Sequence, residues 1–416
     1  MKICLVTAFP PSRRGLNEYG YHIARELQRD PLISLAILAD HLDTPALELE
    51  EYNVLRCWFY NKISNPTRLL SVIRDIRPDV LWFNLLFSTF GSRPIPAFFG
   101  LSIPALTRMW GIYTHVTLHH LMDNIDLQDA GVRHPRVYRW AGAVATRTLL
   151  MANSISVLLP AYRRTLMEKY RGENVHFRAH GILGARPEYP DFSRRGNPEH
   201  RVVAFGKWGT YKRLELLIDA FALVAAQVPS VRLIIAGANH PMAPGYVESV
   251  AQRFSGAENI EFTGYVPEDR IADVFSTASV MVMPYSSATG SSGVAHLACE
   301  FGVPIISADI SDFREMAADE DLAIDFYQTG NPRDLAQKLV ELLRDPERQR
   351  AMAEKNFSAA LRMTMPQIIR QYLRSFDLHQ KSKALEPILR FRRVPAWIPS
   401  RSAIFRAAAP RWSPWM

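Results

Sequence analysis

The chain has 416 residues, a formal net charge of +8 at neutral pH, 48% hydrophobic and 22% charged residues, and a pI near 9.4. That length exceeds one hydrophobic core, so two domains are expected, and with no apolar run of about eighteen residues no membrane-spanning helix is expected. The positive balance calls for an anionic partner: a nucleotide, a lipid surface or nucleic acid, the last set lowest because no RNA- or DNA-reading motif is present.

Cys4, Cys57 and Cys299 are odd in number and lack metal-ligand spacing, which fits a reducing compartment. The run Ile3-Cys4-Leu5-Val6 reads as a first strand rather than a leader segment. From there, short apolar runs alternate with amphipathic segments, the pattern of a parallel sheet covered by helices. In the first half, strands are expected at 2–7, 35–39, 80–84, 114–118 and 149–152. Helices are expected at 18–29, where Tyr19, Ile23 and Leu27 share one stripe, at 68–76, stopped before Pro78, and at 138–148.

The second half repeats the programme, with strands at 201–205, 231–236, 260–262, 280–283, 305–307 and 323–326. Its helices are expected at 213–227, with Leu216, Leu217, Ala220, Phe221 and Val224 inward, at 271–277, through Leu297, Ala298 and Phe301, and at 334–343 beyond Asn331-Pro332. Residues 185–200 carry little apolar periodicity and read as a linker. The expected domains are 1–184 and 201–364, each doubly wound, with ligands beyond the C-terminal strand ends and chemistry in the cleft between them.

Four loops carry residues suited to chemistry. The first strand leads through Arg13, Arg14 and Gly15 into a helix, where a glycine lets backbone approach a ligand and the helix N-terminus favours negative charge. An ordinary strand-to-helix turn reads equally well there, and no G-x-G-x-x-G fingerprint is present. His119 and His120 follow an apolar strand and are placed toward the crevice; a third metal ligand at supporting spacing is not visible. Gly206-Lys207, with Lys212 and Arg213, stands before the long helix of the second half, and such cations can clamp a diphosphate. The run Ala288-Thr289-Gly290-Ser291-Ser292-Gly293-Val294 lies between a strand and a helix and suits a backbone phosphate cradle, while the Walker pattern is absent.

Together these loops resemble the retaining GT-B glycosyltransferases of family 4, over residues 1 to about 377. Gly15 resembles the family's first glycine loop, and His119 its histidine beside the donor sugar. Asn153-Ser154, His180-Gly181-Ile182, Ile234-Ile235-Ala236-Gly237 and Phe262-Thr263-Gly264-Tyr265-Val266 resemble further signatures. The resemblance implies two Rossmann-like domains facing a cleft, and a helix at 365–378 crossing back to the first domain. It implies a hexose donor of the nucleotide-diphosphate type, with His119, Lys207 and Lys212 catalytic. Gly15, Gly206, Lys207, Lys212, Val266, Gly290, Ser291, Ser292, Gly293 and Val294 would hold the donor without a metal or other cofactor. A glycan, glycolipid or lipid-linked acceptor follows from it; the cysteines point to a cytoplasmic location, and with no reading motif no nucleic-acid partner is expected. One departure stands out: the family's two glutamates, eight positions apart, fall on Thr289 and Leu297. Glu300 lies three residues beyond the second. The departure leaves open either a divergent enzyme or an inactive nucleotide-sugar-binding relative.

Residues 379–416 change character. From Lys381 onward, Lys and Arg interleave with Trp397, Trp412, Trp415 and other apolar residues, and Glu386 is the single acid. Prolines 387, 395, 399, 410 and 414 argue against one long helix. The tail is expected to meet an anionic membrane surface, on the inner face of the plasma membrane, or to pack as a strap on the protein itself.

Overall fold

The computed structural model describes residues 1–392 except 45, 48, 125–134, 185–186, 193–199, 241–242 and 288–289, with side chains described as far as 385. Residues 1–369 form one compact unit, and the chain from Arg370 onward a second.

Two all-parallel sheets lie in the first unit. The first lobe runs β1 (Lys2–Val6), α1 (Asn17–Gln28), β2 (Ser34–Asp40), β3 (Val54–Trp58), α2 (Asn65–Ile76), β4 (Val80–Leu85), α3 (Pro94–Leu101) and α4 (Ile103–Met109). It continues through β5 (Tyr113–Leu118), α5 (Pro135–Leu149), β6 (Ser154–Val157), α6 (Pro160–Glu168) and β7 (Val175–Phe177). Its strand order is β3-β2-β1-β4-β5-β6-β7. Every residue of β4 is buried, as befits a central parallel strand covered on both faces. Tyr19, Ile23 and Leu27 are the buried stripe of α1.

The second lobe runs β8 (Arg201–Phe205), α7 (Leu214–Ala225), β9 (Arg232–Ala236), α8 (Tyr246–Arg253), β10 (Ile260–Gly264), α9 (Ile271–Phe275) and β11 (Val280–Met283). Then come α10 (Gly293–Glu300), β12 (Ile305–Ala308), α11 (Ser311–Glu320), β13 (Ile324–Tyr327), α12 (Pro332–Leu343), α13 (Pro346–Arg362) and α14 (Met365–Arg392). The order here is β10-β9-β8-β11-β12-β13. Each sheet therefore reverses its winding once, between β1 and β4 and between β8 and β11, and these are the places where such sheets open a crevice.

Several expectations need correction. The run at 149–152 is not a strand: Leu149 closes α5, and the strand follows at Ser154–Val157. Its two serines are buried and bonded, Ser154 to His115 and Ser156 to Arg178, so polarity hid a core strand. Strand β3 was missed because Arg56 interrupts it; that guanidinium turns inward to the carbonyls of Phe9, Pro10 and Asp40. Helix α14 continues past 378 through Pro387 to Arg392. One proline removes one hydrogen bond and kinks a helix, and the neighbouring turns can carry it on. Prolines 395, 399, 410 and 414 lie outside the described residues. Part of the expected linker is packed: Phe192 joins Ala353 and Phe357 of α13 in a small core. The chain returns toward the first lobe before α14, where Ile182 bridges Thr364 and its N–H donates to Met363 O at 3.0 Å. No helix among the described residues is long and apolar enough to cross a membrane.

Candidate active site

The second lobe supplies one wall of the cleft from the ends of β8, β9, β10 and β11. Gly206 follows β8 with φ of 148°, and Gly237 follows β9 with φ of 113°. A Cβ on Gly237 would collide with the carbonyl of Gly206, so the two backbones touch here only as glycines. Lys212, in the short turn before α7, is buried, with its ammonium 4.9 Å from the Tyr285 ring centre and 5.6 Å from that of Trp208. Burial, and then the nearby charge of Lys207, bring its pKa down to about 7. Lys207 is half exposed and reaches across to Glu18 of α1, 3.8 Å away. Val294 lies beside Gly206, 3.8 Å from where a Cβ would stand. Val266 is half-buried in the loop after β10. The structure thus brings Gly206, Lys212 and Val294 together, with Lys207 at the rim.

The glycine loop is tied to both lobes. Gly290 has φ of 86° and a Cβ there would stand 2.5 Å from His119 O. Its N–H donates to Asp312 Oδ2 at 3.1 Å, and the same oxygen accepts from Tyr162 of the first lobe at 2.7 Å. Ser292 caps α10 by accepting from Ala295 N–H at 3.2 Å, a standard way to satisfy an orphan helix donor. Its own N–H and the Ser291 hydroxyl point to the sulfur of Met316. Gly293 is exposed and opens α10, with His180 the nearest neighbour, 3.7 Å from a would-be Cβ.

The first lobe contributes His119. It is buried, and burial together with the neighbouring His180 and His120 holds its pKa well below the ordinary imidazole range. Asn84 donates through Nδ2 to Thr7 at 3.1 Å, so its Oδ1 accepts from His119 Nε2 at 2.7 Å. The ring is neutral with its proton on Nε2, leaving Nδ1 as an acceptor. Gly15 is exposed and has an ordinary φ; the left-handed residue of that loop is Leu16, at φ of 70°. The glycine with no room for a side chain is Gly20, whose Cβ would stand 2.6 Å from Thr7. The loop itself is held by Asp40 at the end of β2, fully buried, which accepts from Phe9 N–H and Ser12 Oγ and faces Arg14 and Arg56.

Sequence reasoning missed a second buried group. His296 of α10 stacks on His180 with ring centres 5.0 Å apart; its Nδ1 lies 2.7 Å from Ser292 O and its Nε2 2.7 Å from Glu320. Burial opposes the charged ring, but the Glu320 carboxylate and the Ser292 carbonyl hold its pKa above the ordinary value. Within the first lobe, Tyr19 donates to His180 O at 3.0 Å and meets His119 edge-on. Leu297 is half-buried on α10, and Thr289 lies outside the described residues. Glu300 does not face the glycine loop: its carboxylate accepts from Gly184 N–H where the chain leaves the first lobe, and burial raises its pKa. A polar recess of about 480 Å³ opens beside the loop, lined by Asp123 of the first lobe and Ser286, Ser287, Asp309, Ser311, Asp312 and Thr329 of the second. Among the described residues no three His, Cys, Asp or Glu side chains are grouped to hold a metal.

Residues 199–345 match the family model described as Glycosyl transferases group 1. The chain has the GT-B fold. The matched stretch falls on the second lobe. Sucrose-phosphate synthase from Thermosynechococcus elongatus superposes with a TM-score of 0.72 at 14% identity, covering 92% of this chain and 99% of that one. HepE from Anabaena, in complex with UDP-glucose, gives 0.66 at 15% identity over 91% of this chain and 99% of its own. The D-inositol 3-phosphate glycosyltransferase of Thermobispora bispora is 25% identical over 264 residues, 59% of this chain and 60% of that relative's length. The GT-B comparison covers both lobes, and the family model covers the wall that holds Gly206, Lys212 and the glycine loop.

Proposed function

We propose that the chain transfers a hexose from a nucleotide-diphosphate sugar to a glycan, glycolipid or lipid-linked acceptor, with retention at the anomeric carbon. One observation carries the reading: Lys212, Gly206 and Val294, the last in the first turn of α10, converge where the second sheet reverses. A cation near neutrality, a glycine backbone and a helix N-terminus suit a diphosphate there. The group 1 family match and the likeness to HepE, whose structure holds UDP-glucose, support the donor class.

In this reading the diphosphate lies against Lys212 and the α10 amides, with Lys207 at its solvent side. As the glycosidic bond lengthens, negative charge gathers on the departing phosphate, and these groups face it. Neutral His119 accepts a hydroxyl hydrogen of the sugar through Nδ1 and offers its carbonyl beside Gly290. The acceptor hydroxyl enters from the first lobe and attacks the face the diphosphate leaves, with the departing phosphate oxygen taking its proton.

The test is transfer from a panel of nucleotide sugars to acceptor extract, with donor binding measured in parallel. Turnover of one donor with release of nucleoside diphosphate is the expected outcome. A second reading, a binding protein without turnover, is favoured by Leu297 standing in place of a glutamate. Tight nucleotide binding with no transfer or hydrolysis, with or without acceptor extract, would establish it.

A further inference from the structure

One surface of the first lobe is unlike the rest. The chain steps from β3 to β4, β5 and β6 in one direction across the sheet, so right-handed crossings lay α2, α3, α4 and α5 over one face. α3 packs against α2, α4 and α5. Its outer residues are Ile95, Phe98 and Phe99, at helical spacing i, i+3 and i+4, and all are exposed. α4 ends in Met109 and Trp110, 73% and 53% exposed, and α5 opens with Val137 and Trp140, 62% and 70% exposed. Ile63 is exposed in the loop that Asn61 ties to Arg93.

The charged residues of α3, α4 and α5 have one sign. Arg93, Arg108, Arg136 and Arg139 are exposed among the apolar side chains. The three helices Pro94–Leu101, Ile103–Met109 and Pro135–Leu149 contain no Asp or Glu. Large apolar side chains left exposed on helices that pack side by side mark an interaction surface. Its makeup, tryptophan and phenylalanine ringed by arginine, fits the headgroup layer of an anionic bilayer, where indole rings settle and cations meet phosphate. A second copy packed face to face would set arginines against arginines, and the basic segment 393–416 would likewise meet like charge.

We propose that the α3–α5 face of the first lobe docks on an anionic lipid surface, bringing the cleft to a membrane. The proposal is independent of the donor chemistry above. The test is cosedimentation of the full chain with vesicles of pure phosphatidylcholine and of phosphatidylcholine mixed equally with phosphatidylglycerol, at low salt. Binding to the mixed vesicles alone is expected. It should fall about tenfold in the pair Arg136→Glu/Arg139→Glu and in the pair Trp110→Ser/Trp140→Ser, both on exposed positions and both keeping the wild-type melting curve. A chain that ignores both vesicles overturns the proposal, as do variants that bind like wild type. Loss of binding only on removal of 393–416 would assign the membrane to the tail instead. A wild-type dimer in sedimentation that the Trp110→Ser/Trp140→Ser pair dissociates would make the face an interface between copies.

Discussion

Lys212 is a buried ammonium flanked by aromatic rings, and its two states oppose one another. Its pKa of about 7 in the fold lies below the unfolded lysine value of about 10.4. Between those values the unfolded chain binds the proton and the folded one does not, so stability rises with pH across that window, and the penalty is complete below it. Lys212→Met should therefore melt above wild type below about pH 7, with the gain gone above about pH 10. The same change should lower turnover by about 10²–10³, the scale of losing one transition-state donor. Wild-type kcat/KM should decline as pH rises through about 7, a limb that the methionine variant lacks. Lys207→Ala should lose turnover on the same scale without the stability gain, because Lys207 is half exposed. Near-normal turnover in both variants would move the diphosphate elsewhere. The buried pair of His296 and Glu320 has the opposite sign. The stabilisation from a raised folded pKa is fully present below the ordinary imidazole value and is lost as pH rises through the folded one. Glu320→Gln should cost roughly 3–5 kcal/mol in urea melts under acidic conditions, the cost of leaving one buried charge alone, and less in alkali.

At the level of the element, the glycine loop separates two requirements for glycine. Gly290 needs it for backbone and space: a methyl would meet His119 O, and φ is 86°. Gly290→Ala should lower the melting temperature, with about 1–2 kcal/mol from the left-handed backbone alone. At Gly293 a Cβ has room, so Gly293→Val should keep the fold while nucleotide affinity falls about 10–100-fold, the worth of one or two charge-assisted hydrogen bonds. Unchanged affinity in that variant would remove the loop from the donor site. The loop was legible in the sequence because small residues between an apolar run and a helix have few other uses. Strands 201–205 and 280–283 were read to the residue for a similar reason, being short apolar runs with sharp ends. Strand β6 was misplaced because its buried serines look like a turn. His296 with Glu320, and Tyr162 with Asp312, carry no local signal, since their partners are 24 and 150 residues away. Such pairs become visible only when the fold brings them together.

For the molecule as a whole, the two lobes meet through a few polar links. Asp312 accepts from Tyr162 of α6 and from Gly290, and Glu315 beside it takes Ala161 N–H and Arg164. Tyr162→Phe leaves the buried carboxylate one donor short, which costs about 1–3 kcal/mol. Because that bond spans the lobes, the loss should appear as a larger radius of gyration in small-angle scattering as well as a lower melting temperature. An unchanged radius would mean that the remaining links hold the lobes together unaided. The pair of Lys207 and Glu18 also spans the cleft, and it has a consequence for salt. An incoming anion that takes Lys207 displaces a carboxylate instead of bulk solvent. Added electrolyte weakens the resident pair and the newcomer alike, so donor affinity should vary with ionic strength less steeply than the site's cations would suggest. Glu18→Gln removes the competitor: it should tighten donor binding at low salt and restore the steep dependence, which a titration across ionic strengths would reveal.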